Sequence, residues 1–338
     1  MKPHFAHVSE PFRTYHLCHL NQNLHPFTPK HRVGVIMKSN LYWNVYKNLE
    51  RELLSIAEYI HVDDNQLGVY SMKIADLIVR CAIEVEAISK ELYHQEGGTK
   101  EDEDLFFDTD CLALLQEKWA VDKKIVEVSS PIFYFEDEEH KILTPLHNAH
   151  KRGSSSSHWQ RAYQGLKHDR HKNLKEKGTL RNLISAMAAV YLLNLYYKAE
   201  VFPLTNHLGN DFDTRLGSSI FSVRLHPWNG FNTNATYVDD NFLGYTYLIK
   251  TTEETTEPVI KAMDAFFADK ANLEYLAMKK ASGINGESPH SGNATRQNFY
   301  STEHVTKQAE REFHHNFEPI YKVLQKCKYE AVLNKNQY

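Results

Sequence analysis

The residues best equipped for chemistry crowd into HWQRAYQGLKHDRHKNL, residues 158–174, which holds three His, four Lys or Arg, one Trp and one Tyr. Wound as a helix at about 100° per residue, Arg161, Gln164, His168 and His171 share one face, and Trp159, Tyr163, Leu166 and Arg170 share another. A guanidinium presents a planar fork to phosphate oxygens. An imidazole titrates near neutrality and moves protons. Together they suit a phosphodiester. His168 first, and His171 second, would move the proton that cleaving such a bond requires. Arg161 or Arg170 would stabilise the charge gathering on phosphorus. Lys167, Tyr163 and Gln164 would hold the strand. A plainer reading stays open: a polar helix start whose Lys, His and Arg pair with neighbouring acids. Gly165 weakens a helix by about 1 kcal/mol relative to Ala, so the segment also fits a turn feeding the apolar helix that follows.

The acids that would face these cations sit on an earlier helix. Glu84 and Glu86 flank its apolar stripe, and Lys90 lies four residues after Glu86, in the favourable order for an ion pair. Glu86 and its neighbours would orient Lys167 or Arg170, or would only cover a solvated flank. His147 with His150, and His168 with His171, have ligand-like spacing, but no Cys joins them and no carboxylate partner is specified. No metal and no cofactor are expected. No glycine-rich phosphate loop and no nucleophile elbow occur.

These residues must be positioned by helices. Tyr42, Val45, Leu49, Leu53, Ile56 and Ile60 draw one apolar face after Leu41. Ser71 is a fit N-cap for a second helix over about 71–94, with Ile74, Leu77, Ile78, Cys81, Val85, Ile88 and Leu92 as its stripe. The segment 105–120 fits one helix, and 124–145 two short strands or an extended arm. KRGSSSS at 151–157 reads as a hinge. Gly178 and Thr179 precede an apolar helix at about 180–199. Beyond 201, SSIFSVRLHPW and NFLGYTYLIKTT read as strands. A helix opened by Pro258 follows, then a loop at 282–297, and a last helix at about 301–328 that gives way to a polar tail. The fold class is therefore mainly α. Residues 1–36 form an irregular N-terminal arm, 37–200 a helical bundle with a short β insertion at 124–145, and 201–338 a C-terminal α+β appendage.

Composition bounds the partners. The net charge of −4 excludes a chain-wide polyanion binder and leaves a local basic patch. The four Cys, at 18, 81, 111 and 327, form no metal or redox pair, as expected in a reducing compartment. The longest apolar run, 183–197, falls short of the roughly 18 residues of a membrane span. With no apolar signal core at the N-terminus, a cytoplasmic protein without membrane contact is expected.

Two stretches carry a resemblance. SMKIADLIVRCAIEVEAISKELY at 71–93 and HWQRAYQGLKHDRHKNLKEKGTLRNLISAMAAVYLLNLYY at 158–197 resemble the HEPN-like helical proteins. Within that group they are similar to bacterial members that pair an E-x-E-x-x-x-K helix with a W-x-x-A-Y-x-x-x-K-H-x-R segment. The matching positions are Glu84, Glu86, Lys90, Trp159, Ala162, Tyr163, Lys167, His168 and Arg170. The resemblance covers roughly 40–200. It implies a helical bundle that often forms homodimers and bears an Arg-x(4–6)-His motif. Arg161 and His168 match that motif at its longest spacing, and Arg152 and His158 also match it. The implied activity is metal-independent cleavage of RNA by 2′-hydroxyl transesterification, in toxin or defence systems. The alternatives are a protein that binds RNA without cutting it, or an interaction scaffold binding a protein partner, in which the basic segment is locked to Glu84 and Glu86 by salt bridges.

Overall fold

A computed structural model describes residues 40–227, 242–269 and 315–336. Helix α1, Leu41–Ala57, opens where the Asn40 side chain accepts a hydrogen bond from the Trp43 amide at 3.0 Å. Helix α2, Met72–Gln95, opens on Ser71, whose Oγ accepts from the Ile74 amide. Every residue of its expected stripe, from Ile74 to Leu92, is buried. The segment 105–120 is not one regular helix. A π-helical turn, Phe107–Leu112, precedes α3, Ala113–Trp119. That turn holds Asp108 and Cys111 inward while the chain corrects its register.

Short strands and turns then lead to the apolar helix. Strands β1 (Val62–Asp63), β2 (Val126–Val128), β3 (Phe133–Tyr134) and β4 (Ile142–Leu143) occur, with a single helical turn α4, Glu138–Lys141, between the last two. The 124–145 segment thus holds three short strands. Helices α5, His158–His168, and α6, Arg170–Lys177, come next. Helix α7, Leu180–Lys198, is capped by Thr179 and stopped by Ala199 in the left-handed region at φ 46°. From Leu180 to Tyr196 every residue of α7 is buried except Arg181 and Ser185. A helix apolar all round belongs at the centre of a bundle, and α1, α2 and α5 pack against it. The starts of α2 and α7 are stitched together, with the Leu180 amide donating to the Val69 carbonyl at 2.9 Å.

The rest of the described chain adds strands β5 (Phe202–Leu204), β6 (Phe221–Val223), β7 (Leu225–His226), β8 (Tyr247–Thr251) and β9 (Tyr329–Leu333), and helix α8, Glu253–Ala268. β2 lies between β4 and β6, antiparallel to both, with Val126 opposite Leu143 and Val223. A second sheet has the order β5-β9-β8-β7. The expected boundary near residue 200 falls at the end of α7, and pairing and packing continue across it. Tyr196 on α7 donates its hydroxyl to the Asn334 carbonyl at 2.8 Å, and one apolar core runs from Leu49 to Ala331. Glu50, buried on α1, accepts from Tyr46, from Ser218 at 2.6 Å and from the Ser219 amide at 2.7 Å.

Two expectations for this part are corrected. Helix α8 begins at Glu253, and Pro258 lies inside it rather than at its first turn. The expected polar tail after 328 is instead β9, where Tyr329 and Ala331 alternate inward. The loop at 282–297, the first part of the last helix, the arm at 1–36 and Cys18 lie outside the described residues.

Candidate nucleic-acid interface

The opening of α5 is built by a capping box. Ser157 Oγ accepts from the Gln160 amide, and Gln160 Oε1 accepts from the Ser157 amide at 3.1 Å. The inner face is then fixed to the loop before it. Trp159 Nε1 donates to the Pro145 carbonyl at 2.8 Å, and Gln160 Nε2 to the Ala149 carbonyl at 2.8 Å. Trp159, Ala162, Tyr163 and Leu166 are all buried. The aromatic face expected from the spacing does face inward.

The hinge at 151–157 is tied by two arginines. Arg152 grips the Asp108 carboxylate with two nitrogens at 2.8–3.0 Å, beneath the Phe106 ring. Arg161 donates to the carbonyls of Ser154 and Ser156, and its Nη2 lies 3.0 Å from His158 Nδ1. Burial is the first cause holding His158 below the usual histidine value, and the cations of Arg161, Arg181 and Lys177 add to it. Both Arg–His motif matches thus have their guanidinium engaged by groups of this chain, Arg152 by Asp108 and Arg161 by backbone carbonyls.

The continuous helix expected through 159–174 breaks at Asp169, which has φ −150° and ψ 80°. Asp169 ends α5 and caps α6, its carboxylate accepting from the Lys172 amide at 3.0 Å. Gly165 sits within α5, and its lack of a side chain serves the turn-back. Asn173 on α6 donates to the Gly165 carbonyl at 3.1 Å and to the Asp169 carbonyl at 2.8 Å. A Cβ at Gly165 would lie 3.2 Å from the Asn173 side chain. The break corrects the shared face: Arg161, Gln164 and His168 line α5, whereas His171 and Arg170 belong to α6.

Gln164, Lys167, His168, His171, Lys172 and Lys175 are exposed along this hairpin. Lys167 Nζ stands 5.5 Å from the centre of the Tyr163 ring. Arg170 reaches α2, but its partner is Asp76, at 2.6 Å. Glu86 pairs with Lys90 at 3.0 Å, four residues along the same helix. Glu84 is half-buried; burial raises its carboxyl above the usual range, with Arg80 opposing. The expected acidic anchors Glu84 and Glu86 are therefore not the groups that hold Arg170. Asp76 escaped the sequence because nothing local marks a partner on another helix. The Ser157–Gln160 box, by contrast, has a readable four-residue signature.

Away from the hairpin, Asp64, Asp137 and His140 are the group among the described residues close enough to share a cation. Asp64 already accepts from the Glu136 and Asp137 amides and lies 2.6 Å from His140 Nδ1. The Glu136 amide first, then the His140 imidazole, then the Asp137 amide hold its carboxyl below the usual range. It acts as a clasp joining the turn after β1 to the start of α4. Cys81 and Cys111 are buried free thiols, with burial pushing Cys111 up to about 12. No helix among the described residues is long and apolar enough to cross a membrane.

Compared with known proteins, the chain matches no family model, no curated protein and no solved structure.

Proposed function

We propose that the protein binds RNA through the exposed cations of the α5–α6 hairpin, on a HEPN-like helical bundle. The observation that carries this reading is the unneutralised charge of the ridge. Lys167, Lys172 and Lys175 are exposed and make no ion pair among the described residues, and His168 and His171 stand beside them. The phosphate backbone is the partner that rewards a row of solvated cations irrespective of base sequence. Two copies meeting about a twofold axis, as the family resemblance implies, would lengthen the ridge.

A second reading is cleavage, favoured by the placing of His168 and His171 on either side of the Asp169 break, both open to solvent. One imidazole would take the 2′-hydroxyl proton as that oxygen attacks phosphorus, and the other would protonate the departing 5′-oxygen. Arg161 is committed to backbone carbonyls, so Lys167 and Lys172 would carry the charge stabilisation. Binding ranks first because it needs only the exposed cations.

The test is incubation of the full chain with labelled mixed RNA in EDTA, scoring retention and fragment ends. Retention without fragments is the expected result. Fragments ending in 2′,3′-cyclic phosphate that disappear in His168→Ala would establish the second reading. Neither retention nor fragments would overturn both and leave the scaffold.

A further inference from the structure

Lys124 follows a short 3-10 turn, Val121–Lys123, and immediately precedes the β2 region. Its side chain is fully buried and its Nζ has no hydrogen-bond partner. An ammonium sealed away without an acceptor costs several kcal/mol, so the amine is under pressure to be neutral or to leave. Among the described residues, one charged group acts on it: Asp122, whose Oδ1 is itself buried without a partner and whose Oδ2 lies 3.9 Å from Lys123 Nζ. Burial outweighs that carboxylate and pushes the Lys124 amine down to about 7. His150, with its Nδ1 also buried and unpartnered, is held below the usual histidine value first by burial, with the Asp122 carboxylate opposing and Lys151 and His147 adding to the lowering.

The position matters because several segments meet there. The Ile125 amide donates to the Gly244 carbonyl at 2.9 Å. A Cβ on Gly244 would lie 3.0 Å from Ile125 Cδ1, so the approach is tight. Val126 begins the pairing of β2 with both β4 and β6. Asn334 holds the other side, donating to the Phe242 and Tyr245 carbonyls at 3.0 and 2.9 Å. The Ile125–Gly244 bond lies one residue from Lys124 and the start of β2 two residues from it, so these are the pairings nearest to a displaced side chain.

We propose that Lys124 is a proton-operated latch on this seam: the neutral amine keeps the seam closed, and taking up a proton loosens it. The latch is independent of RNA binding at the α5–α6 ridge.

The sign follows from linkage. The opened seam returns Lys124 to its ordinary basicity, so opening takes up a proton wherever the closed form is neutral. The opening equilibrium then grows about tenfold for each pH unit lost between roughly pH 10 and pH 7, and levels off below. Hydrogen exchange on the full chain reads this, at pH 9, 8 and 6, corrected for intrinsic rates. Peptides covering 121–128 and 242–248 should lose protection on the order of a hundredfold between pH 9 and pH 6, while α7 holds its own. Lys124→Met should abolish the loss, and His150→Gln should retain it. The same pH dependence in Lys124→Met and wild type, or its disappearance in His150→Gln, would overturn the latch. If Lys124→Met fails to fold, the wild type alone decides: between pH 9 and pH 8, above the histidine range, seam protection must fall about tenfold, and a flat response there overturns the proposal.

Discussion

Helices α6 and α7 are two residues apart in sequence and have opposite relations to water. α6, Arg170–Lys177, contains no buried residue, whereas α7 buries almost every position from Leu180 to Tyr196. Both are opened by a side-chain cap, Asp169 for one and Thr179 for the other. An isolated eight-residue helix is not stable in water. α6 persists because Asp169 caps it, Asn173 ties it back to α5 and Arg170 reaches Asp76. Shape is decided by α7. The ridge beside it contributes little to the core and is free to carry charge for a partner.

Substitutions should separate the two helices by size of effect. Leu192→Ala on α7 removes a fully buried side chain and should cost roughly 2–5 kcal/mol in denaturant unfolding. Thr179→Ala, at the junction, removes the acceptor for the Asn182 amide and should cost about 1 kcal/mol. Arg170→Ala breaks an ion pair whose members are 35% and 55% exposed, so its cost should stay below about 1 kcal/mol. The comparison breaks if Arg170→Ala destabilises as much as Leu192→Ala, because α6 would then be part of the core it is taken to lie outside.

The contrast also explains what the sequence disclosed. The α2 stripe, the Ser71 cap and the buried α7 were legible because each depends on residues within a few positions of one another. The inward Trp159 and Tyr163 followed from the same periodicity. The break at Asp169 was not legible: a run of Lys, His and Arg has no apolar period to interrupt, and the stop depends on Asn173 reaching back to Gly165. Asp76 as the partner of Arg170, and Asp108 as that of Arg152, are long-range choices among many acids. β9 was hidden because Tyr329 to Leu333 acquires its alternation only beside β8 and β5. Nothing in the local sequence VDKKIVEV marks Lys124 as the lysine that is fully buried.

In the proposed function, the solvated cations of the α5–α6 hairpin meet a phosphate backbone. Its most direct test is the salt dependence of binding to a single-stranded RNA, for wild type and for a variant with Lys167, Lys172 and Lys175 each changed to Gln. The variant should bind more weakly, with the slope of log K against log salt shallower by about 2 and an unchanged unfolding midpoint. A variant that binds as tightly as wild type with the same slope would contradict it.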